Sequence, residues 1–414
     1  MNRTSEQFEV KTRLARLRGQ IFRVGITGTN GKTTTTSMLD SIISASGELS
    51  ARLDTLGGWI GGECRCQNTM EWIDFLETAV AEGVRTMVFE MTSNSLSRYV
   101  SCSWPPSVGV ITNITRDHFG HHGGPEGYML AKGQLLQHLP PGGTAVLNAG
   151  DPASARMVEL VPGDVQSLSF AVGKVNEAWK GTEPLLLATT IEMTREGTRA
   201  VVEGELGLAL GGEIQLRTHG EIYLENAFAA ALAAHALGYS ANVIRKGLES
   251  FSAPPGRFEI VADQPLVVVD FATSPDALAR TIAILRSLVR GRVICVFGCG
   301  GGASDPDARE ILGRVAHKYA DVVVLTNDNP RDEDPEQIAD AVSRGARGEG
   351  ARWIRELDRR LAIDLAFDEA EREDSILLAG KGPERNQVIG TEVRPFSDVE
   401  VTKMAWQQFF GDSA

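Results

Sequence analysis

The segment Gly25-Ile26-Thr27-Gly28-Thr29-Asn30-Gly31-Lys32-Thr33-Thr34 constrains this chain more than any other feature. An apolar, branched run from Phe22 to Ile26 precedes it, and a helix-compatible stretch from Thr33 to Ser46 follows. From Gly25, the spacing to Gly31-Lys32-Thr33 is one residue longer than G-x-x-x-x-G-K-[ST], so the match is approximate. The mechanism still needs only the parts that are present. Gly28 and Gly31 let the backbone N–H groups of Gly28, Thr29, Asn30 and Gly31 turn inward around phosphate oxygens. A helix opening at Lys32, Thr33 and Thr34 adds its positive end. Lys32 is placed to bridge the β- and γ-phosphates, and the Thr33 hydroxyl to ligate Mg²⁺. The plainer alternative is a glycine turn carrying an exposed lysine.

Strand and helix signals alternate along most of the chain, which predicts an α/β fold. Short apolar runs at Phe22 to Ile26, Thr86 to Phe89, Val108 to Thr112 and Thr144 to Asn148 read as buried parallel strands. A helix is expected over Trp72 to Glu82. Leu185 to Thr218 reads as antiparallel hairpins turning at Glu196-Gly197 and Gly211-Gly212. An Ala-rich helix, Leu224 to Leu237, stops at Gly238. Ala253-Pro254-Pro255-Gly256 can continue neither a helix nor a central strand. The alternation restarts beyond it, with strands at Leu266 to Asp270, Val293 to Phe297, Val322 to Thr326 and Ser375 to Ala379. We therefore expect a nucleotide-binding domain over 1–253 and a smaller Rossmann-like domain over 254–414. The acidic run Asp368 to Asp374 is expected to be a solvated helix face and its turn.

The 414 residues carry 41 Lys and Arg against 54 Asp and Glu, a net charge of −13. Nucleic-acid binding needs a concentrated basic face, so no nucleic-acid partner is expected. The first twenty residues lack the apolar stretch of a secretion signal, and no run approaches the ~18 apolar residues of a membrane span. A cytoplasmic protein without a membrane partner is expected. Five cysteines, Cys64, Cys66, Cys102, Cys295 and Cys299, are an odd number, and no disulfide framework is expected.

Oxygen and nitrogen donors gather after two of the expected strands. Glu90 closes the run Thr86 to Phe89 and is followed by Thr92 and Ser93, at the carboxyl edge of the sheet where open α/β folds bind ligands. The next strand ends in Asn113-Ile114-Thr115-Arg116-Asp117-His118, with His121 and His122 close behind. Such crowding at a strand end reads as a site, whereas a lone histidine would read as structural.

Taken together, these motifs resemble the Mur ligases, the ATP-dependent amide ligases of cell-wall peptide assembly, and most of all the muramoyl-tripeptide synthetase type. The resemblance rests on GITGTNGKTTTT (25–36), Glu90-Met-Thr-Ser, NITRDHFGHHG (113–123), Ala131-Lys132 and Asn226-Ala-Phe-Ala-Ala. It continues through Pro255-Gly-Arg-Phe-Glu, Asp270-Phe-Ala-Thr-Ser-Pro, VFGCGG (296–301), Asp328-Asn-Pro-Arg and Gly380-Lys-Gly. It spans about residues 21 to 402 in the family's order.

The resemblance implies that ATP phosphorylates an acceptor carboxylate and that an amino-acid amine then displaces phosphate, leaving an amide. It implies that Lys32 steadies the transferring phosphoryl group, that Thr33 and Glu90 hold one Mg²⁺, and that His118 holds a second. It also implies that Lys132 is carbamylated: an unmodified lysine, with a reference pKa of about 10.4, would repel magnesium. Asn226 and Arg257 match nucleotide contacts, and Asp270 sits where the second domain approaches the nucleotide on closure. Asp328, Asn329 and Arg331 resemble the signature by which diaminopimelate-adding members hold the carboxylate of their amino acid, with Arg331 as the clamp. Glu384 follows in the same substrate group, and Asn68, Thr69 and Ser93 fall at acceptor-side positions.

Several positions depart from the family pattern. About two dozen residues precede the phosphate loop, where the family carries a UDP-sugar-binding domain. Met70 replaces a threonine, Gly120 an aspartate, Tyr223 an asparagine, and Thr273 and Pro383 histidines. Gly302-Ala303-Ser304 interrupts an Asp-Arg-Asp stretch. The expected function is therefore a carboxylate–amine ligase whose acceptor is not UDP-muramoyl peptide, with an amino acid and a carboxylate acceptor as its partners. A partner protein could replace the absent domain. The alternatives are a polymerising ligase of the cyanophycin or folylpolyglutamate kind, and a nucleotide-binding subunit without ligase chemistry.

Overall fold

The computed structural model describes residues 12–66, 72–302 and 306–411. They fall into two compact units. The first holds residues up to Thr115 together with Pro125–Ser252; the second holds Arg116–Gly124 and everything from Ala253 onward.

The first unit is built on an eleven-stranded sheet in the order β11-β10-β9-β8-β7-β6-β1-β5-β2-β3-β4. Its strands are β1 (Phe22–Thr27), β2 (Ser50–Asp54), β3 (Gly57–Ile60), β4 (Glu63–Cys66), β5 (Thr86–Glu90), β6 (Val108–Ile111), β7 (Thr144–Asn148), β8 (Gln166–Val172), β9 (Leu186–Thr194), β10 (Gly197–Glu203) and β11 (Glu213–Leu216). The run from β2 through β9 across the centre is parallel, and the two edges are antiparallel. The central strands are continuous apolar runs because both faces are covered, as a parallel sheet demands. One expectation needs correction here. Gly211-Gly212 does not join two strands directly, because a helical turn, Glu205–Ala209, intervenes between β10 and β11. The meander β2-β3-β4 at the opposite edge has no clean apolar alternation, and the sequence reading did not anticipate it.

Helices α1 (Lys32–Ala45), α2 (Trp72–Ala81), α3 (Pro125–Gln137), α4 (Glu221–Ala236) and α5 (Ala241–Ser250) flank this sheet. Four consecutive threonines open α1, although β-branched residues are mediocre helix formers. All four are buried, and α1 packs against both α4 and α5, so tertiary burial overrides propensity. Helix α4 is apolar almost all round and buried from Tyr223 to Ala234, as expected for a helix enclosed between α1 and strands β6 to β8.

The second unit carries a six-stranded sheet in the order β12-β13-β17-β14-β15-β16, with a separate hairpin β18-β19. The strands are β12 (Glu259–Asp263), β13 (Leu266–Asp270), β14 (Val293–Phe297), β15 (Val322–Leu325), β16 (Arg352–Arg355), β17 (Ser375–Ala379), β18 (Asn386–Ile389) and β19 (Glu392–Pro395). All pairs in the larger sheet are parallel except β12-β13, and helices α6 (Pro275–Leu288), α7 (Pro306–Tyr319), α8 (Pro335–Ser343), α9 (Arg359–Glu369) and α10 (Asp398–Phe410) accompany it. This is a Rossmann-like layer. The acidic run is a helix end and an exposed turn up to Glu373, and only its last member, Asp374, departs from expectation. Helix α9 ends at Glu369, and Asp374 is buried, its carboxylate accepting hydrogen bonds from the Arg292 backbone N–H and guanidinium and from the Glu371 N–H. These bonds hold its carboxyl below the usual carboxylate range against the opposing effect of burial.

No helix among the described residues is long and apolar enough to cross a membrane.

Candidate nucleotide and amino-acid sites

The strand order places β1 between β5 and β6, both parallel to it, with the sheet continuing outward on either side. The carboxyl ends of such strands form the ligand crevice of open α/β sheets, and the loop Gly28–Gly31 lies there. Both of its glycines are required by close approach. Gly28 has φ +152° and Gly31 φ +84°. A Cβ on Gly28 would fall 1.9 Å from Thr112 Oγ1, and one on Gly31 2.0 Å from Asn226 Oδ1.

The loop is fixed from the side by the end of β6. Thr29 N donates to Asn113 O at 2.8 Å and Asn30 N to Asn113 Oδ1 at 3.0 Å. Thr112 Oγ1 and Asn113 Nδ2 both donate to Asn30 O. Thr29 Oγ1 lies 3.1 Å from the Tyr128 hydroxyl and accepts from Thr115 N at 2.9 Å. The N-cap of α1 is Gly31, which has no side chain to satisfy the first helical N–H groups.

Four of the side chains expected to do chemistry meet around this loop. Thr33 Oγ1 donates to Glu90 Oε2 at 2.7 Å. Lys32 Nζ lies 4.0 Å from Glu90 Oε1 and donates to Gly28 O at 3.1 Å and Thr29 O at 2.9 Å. Lys132, on α3, is almost wholly buried; its Nζ donates to Gly28 O at 2.7 Å and Thr27 Oγ1 at 3.4 Å, and sits 4.8 Å from the centre of the Tyr128 ring. Asn226, from α4, accepts from Thr35 Oγ1 at 3.3 Å. Thr34 is buried in the first turn of α1, and Ser93 opens the short helix after Glu90, where Ser97 Oγ donates to its carbonyl.

Sequence reasoning missed Thr55. It lies just past β2, and its N–H and Oγ1 approach Glu90 Oε2 at 3.4 and 3.5 Å. Nothing local marks it, because only the β2-β5 pairing brings that turn to Glu90. The hydroxyl and carboxylate oxygens of Thr33 and Glu90 are donors suited to a hard dication. Among the described residues no three His, Cys, Asp or Glu side chains form a ready-made metal cluster.

Residues Arg116–Gly124, and so His118, group with the second unit. His118 has φ +51° and a half-exposed ring. Its Nε2 lies 3.5 Å from Asp117 Oδ2 and its ring centre 6.2 Å from that of His121. Asn68 and Thr69 lie outside the described residues.

The second unit assembles two further groups. Asp270, at the end of β13, accepts from Phe258 N at 2.7 Å and from Thr281 Oγ1 at 3.2 Å. Burial raises its pKa, partly offset by the Phe258 bond and by Arg257. Arg257 stacks its guanidinium 4.5 Å from the centre of the Phe271 ring. The loop after β15 carries Asp328, Asn329 and Arg331, and it joins the loop after β17. Asn329 Nδ2 donates to Glu384 Oε2 at 2.7 Å, Val388 N to Asn329 Oδ1 at 3.0 Å, and Gln387 Nε2 to Asp328 O at 2.9 Å. Burial pushes the Asp328 carboxyl up to about 6, against the pull of Arg359 and Lys381. Arg331 has φ +55°; its backbone is pinned by Arg331 N to Val388 O and Gly390 N to Arg331 O, and its side chain is exposed.

Two family descriptions match this chain: the Mur ligase middle domain over residues 26–234, and the Mur ligase glutamate ligase domain over 256–382. The chain belongs to the Mur ligase family. It is an ATP-dependent carbon–nitrogen ligase, with the α/β construction described above. The UDP-N-acetylmuramoyl-L-alanyl-D-glutamate–2,6-diaminopimelate ligase of Prochlorococcus marinus is 35% identical over 397 residues, covering 93% of this chain and 77% of the relative. The enzyme of the same name from Geobacillus kaustophilus is 33% identical over 399 residues, covering 92% and 78%. A solved ligase of that name superposes with a TM-score of 0.63 at 26% identity, over 96% of this chain and 83% of its own. Folylpolyglutamate synthase of Mycobacterium tuberculosis reaches a TM-score of 0.72 at 20% identity, over 97% and 93%, an agreement of fold alone.

Proposed function

We propose that this Mur ligase joins the amine of an amino acid bearing a further carboxylate, of the 2,6-diaminopimelate kind, to an acceptor carboxylate activated by ATP. The observation that carries the reading is the meeting of Lys32, Thr33, Glu90 and Lys132 around one glycine loop at the carboxyl end of β1. A nucleotide-binding scaffold without chemistry would need the loop but neither Glu90 nor the buried Lys132.

In this reading an acceptor carboxylate oxygen attacks the γ-phosphorus of ATP. The bond from that phosphorus to the β-phosphate's bridging oxygen breaks, releasing ADP and leaving an acyl phosphate. The amine nitrogen then attacks the acyl carbon, the carbon–oxygen bond to phosphate breaks, and the nitrogen loses its proton as the amide forms. Lys32 contributes a positive charge to the transferring phosphoryl group. The loop N–H groups and the start of α1 hold the phosphates in place.

Thr33 and Glu90 would hold Mg²⁺, which when bound screens the repulsion between the two anions that must meet. His118 is proposed to serve a second Mg²⁺. Lys132 is proposed to act as its carbamate, whose remaining N–H can keep the bond to Gly28 O while the new carboxylate supplies oxygen donors. Asn226, Arg257 and Asp270 are assigned to the nucleotide, and Arg331, Asn329, Asp328 and Glu384 to the amino acid. A guanidinium fork matches a carboxylate bidentately, which suits the exposed Arg331 on its pinned backbone.

The acceptor is proposed to differ from the UDP-muramoyl peptide named for the relatives, because Gly120, Tyr223, Thr273 and Pro383 all depart from the family pattern while the phosphate loop does not. The identity of about one third with those relatives supports the competing reading, that the acceptor is shared. The deciding experiment is phosphate release with ATP, a panel of amino acids, and either UDP-muramoyl-alanyl-glutamate or an extract of the native host as the acceptor source. A ligase releases phosphate only when acceptor and amine are both present. Release that ignores the amine would refute ligation, and efficient turnover of the UDP-muramoyl dipeptide would refute the changed acceptor.

A further inference from the structure

The second unit contains a lysine that the proposed reaction leaves without a task. Lys381 follows β17 and is completely buried. Its Nζ donates to Glu384 Oε2 at 2.8 Å, to Asn386 O at 2.7 Å and to Asn329 Oδ1 at 3.2 Å, and it lies 3.9 Å from Asp328 Oδ1. An ammonium has three protons, and here all three are used. Burying such a charge is costly unless it is paired and fully hydrogen-bonded, so the chain has arranged four groups from two loops around it.

The partners make the arrangement informative. Asn329 and Glu384 belong to different loops, after β15 and after β17, and they touch each other through the Asn329 Nδ2 to Glu384 Oε2 bond. Lys381 bonds both of them as well as the first residue of β18. One carboxylate oxygen of Glu384 therefore receives two donors. Its other oxygen has no hydrogen bond among the described residues, and the side chain is 38% exposed.

We propose that Lys381 is a positioning residue for the amino-acid site: it fixes Glu384 and Asn329 in one geometry, so that Oε1 of Glu384 is presented to the ammonium group of the incoming amino acid. This inference rests on the proposed reading that Glu384 and Arg331 contact that substrate. Lys381 itself does not reach the reacting atoms. Its charge also opposes the mutual repulsion of Asp328 and Glu384, which would otherwise drive the two loops apart.

The test is a set of full-length variants assayed with 2,6-diaminopimelate as the amine, following phosphate release. Lys381→Gln, which keeps a donor but loses the charge, should raise the amino-acid KM at least tenfold while kcat and the KM for ATP change less than threefold. Lys381→Arg should restore part of the loss. Glu384→Gln should raise the same KM, and adding Lys381→Gln in that background should cost less than a further threefold, because the lysine acts through the carboxylate. Independent, multiplying losses would overturn the positioning role. A crystal structure of Lys381→Gln supplies a readout that needs no substrate: Glu384 is expected to leave Asn329, and an unchanged Asn329–Glu384 bond would overturn the proposal. If Arg331→Ala and Glu384→Gln both leave the amino-acid KM unchanged, the reading of the site fails instead, and the crystal structure still judges Lys381.

Discussion

Replacing Gly31 with alanine probes the tightest point of the phosphate loop without touching a charged group. The new methyl would meet Asn226 Oδ1 at 2.0 Å, well over an ångström inside normal contact, and Asn226 is buried and accepts a bond from Thr35. Relieving that overlap in a packed interior costs about 1–3 kcal/mol. Holding a non-glycine residue at φ +84° adds about 1–2 kcal/mol. The sum is roughly 2–5 kcal/mol, or a drop of about 4–20 °C in the melting temperature of a unit this size. The assay is thermal and urea unfolding of the nucleotide-free protein, following the first unit's transition. Asn226→Ala in the same chain removes the overlap but leaves the backbone strain, so Gly31→Ala/Asn226→Ala should recover about 1–3 kcal/mol of the sum of the single losses. Strict additivity of the two, or a Gly31→Ala variant as stable as the parent, would refute the close packing of α4 on the loop.

Lys32→Ala should abolish ATP-dependent turnover while leaving the melting temperature within a few degrees; an active variant would remove Lys32 from phosphoryl transfer. Thr33→Val deletes the hydroxyl that donates to Glu90 and should weaken magnesium-dependent ATP binding by about tenfold or more, with little effect on metal-free binding; titration calorimetry at two magnesium concentrations separates these. Lys132→Ala should lose activity and regain part of it with a short-chain carboxylate, and full unrescued activity would exclude the lysine. Asp328, with its pKa raised from the ordinary carboxylate value of 3.8 to about 6, keeps its proton more readily folded than unfolded. Its contribution to stability is therefore complete below about pH 4 and disappears as the pH rises through about 6. Asp328→Asn should flatten that decline in urea melts taken from pH 4 to 7, and a parallel curve would contradict it.

The phosphate loop was legible because one short segment holds all of its chemistry, and strand, glycines, lysine and threonine keep fixed offsets. Glu90 was legible for a related reason, as the last residue of an apolar run. Thr55 was not, since its place beside Glu90 depends on the pairing of β2 with β5 across more than thirty residues. Lys381 appeared only as part of a motif, because nothing in Gly-Lys-Gly says that the amine is buried under four partners. The acidic run was legible as a solvated helix end and turn except at one residue. Its last member, Asp374, is bonded to Arg292, a partner 82 residues away that local charge patterning cannot reveal. Helix α1 shows the same limit: four threonines would not be chosen for an isolated helix, and they serve here because α4 and α5 enclose them.

The carbonyl oxygen of Gly28 receives both Lys32 and Lys132. Two amines drawn to a single acceptor cannot stand farther apart than those two bonds laid end to end, and in a shielded pocket such neighbours repel strongly when each carries a proton. If Lys132 carries the proposed carbamate, the charge beside Lys32 changes sign, and the balance of forces on the Lys32 ammonium changes with it.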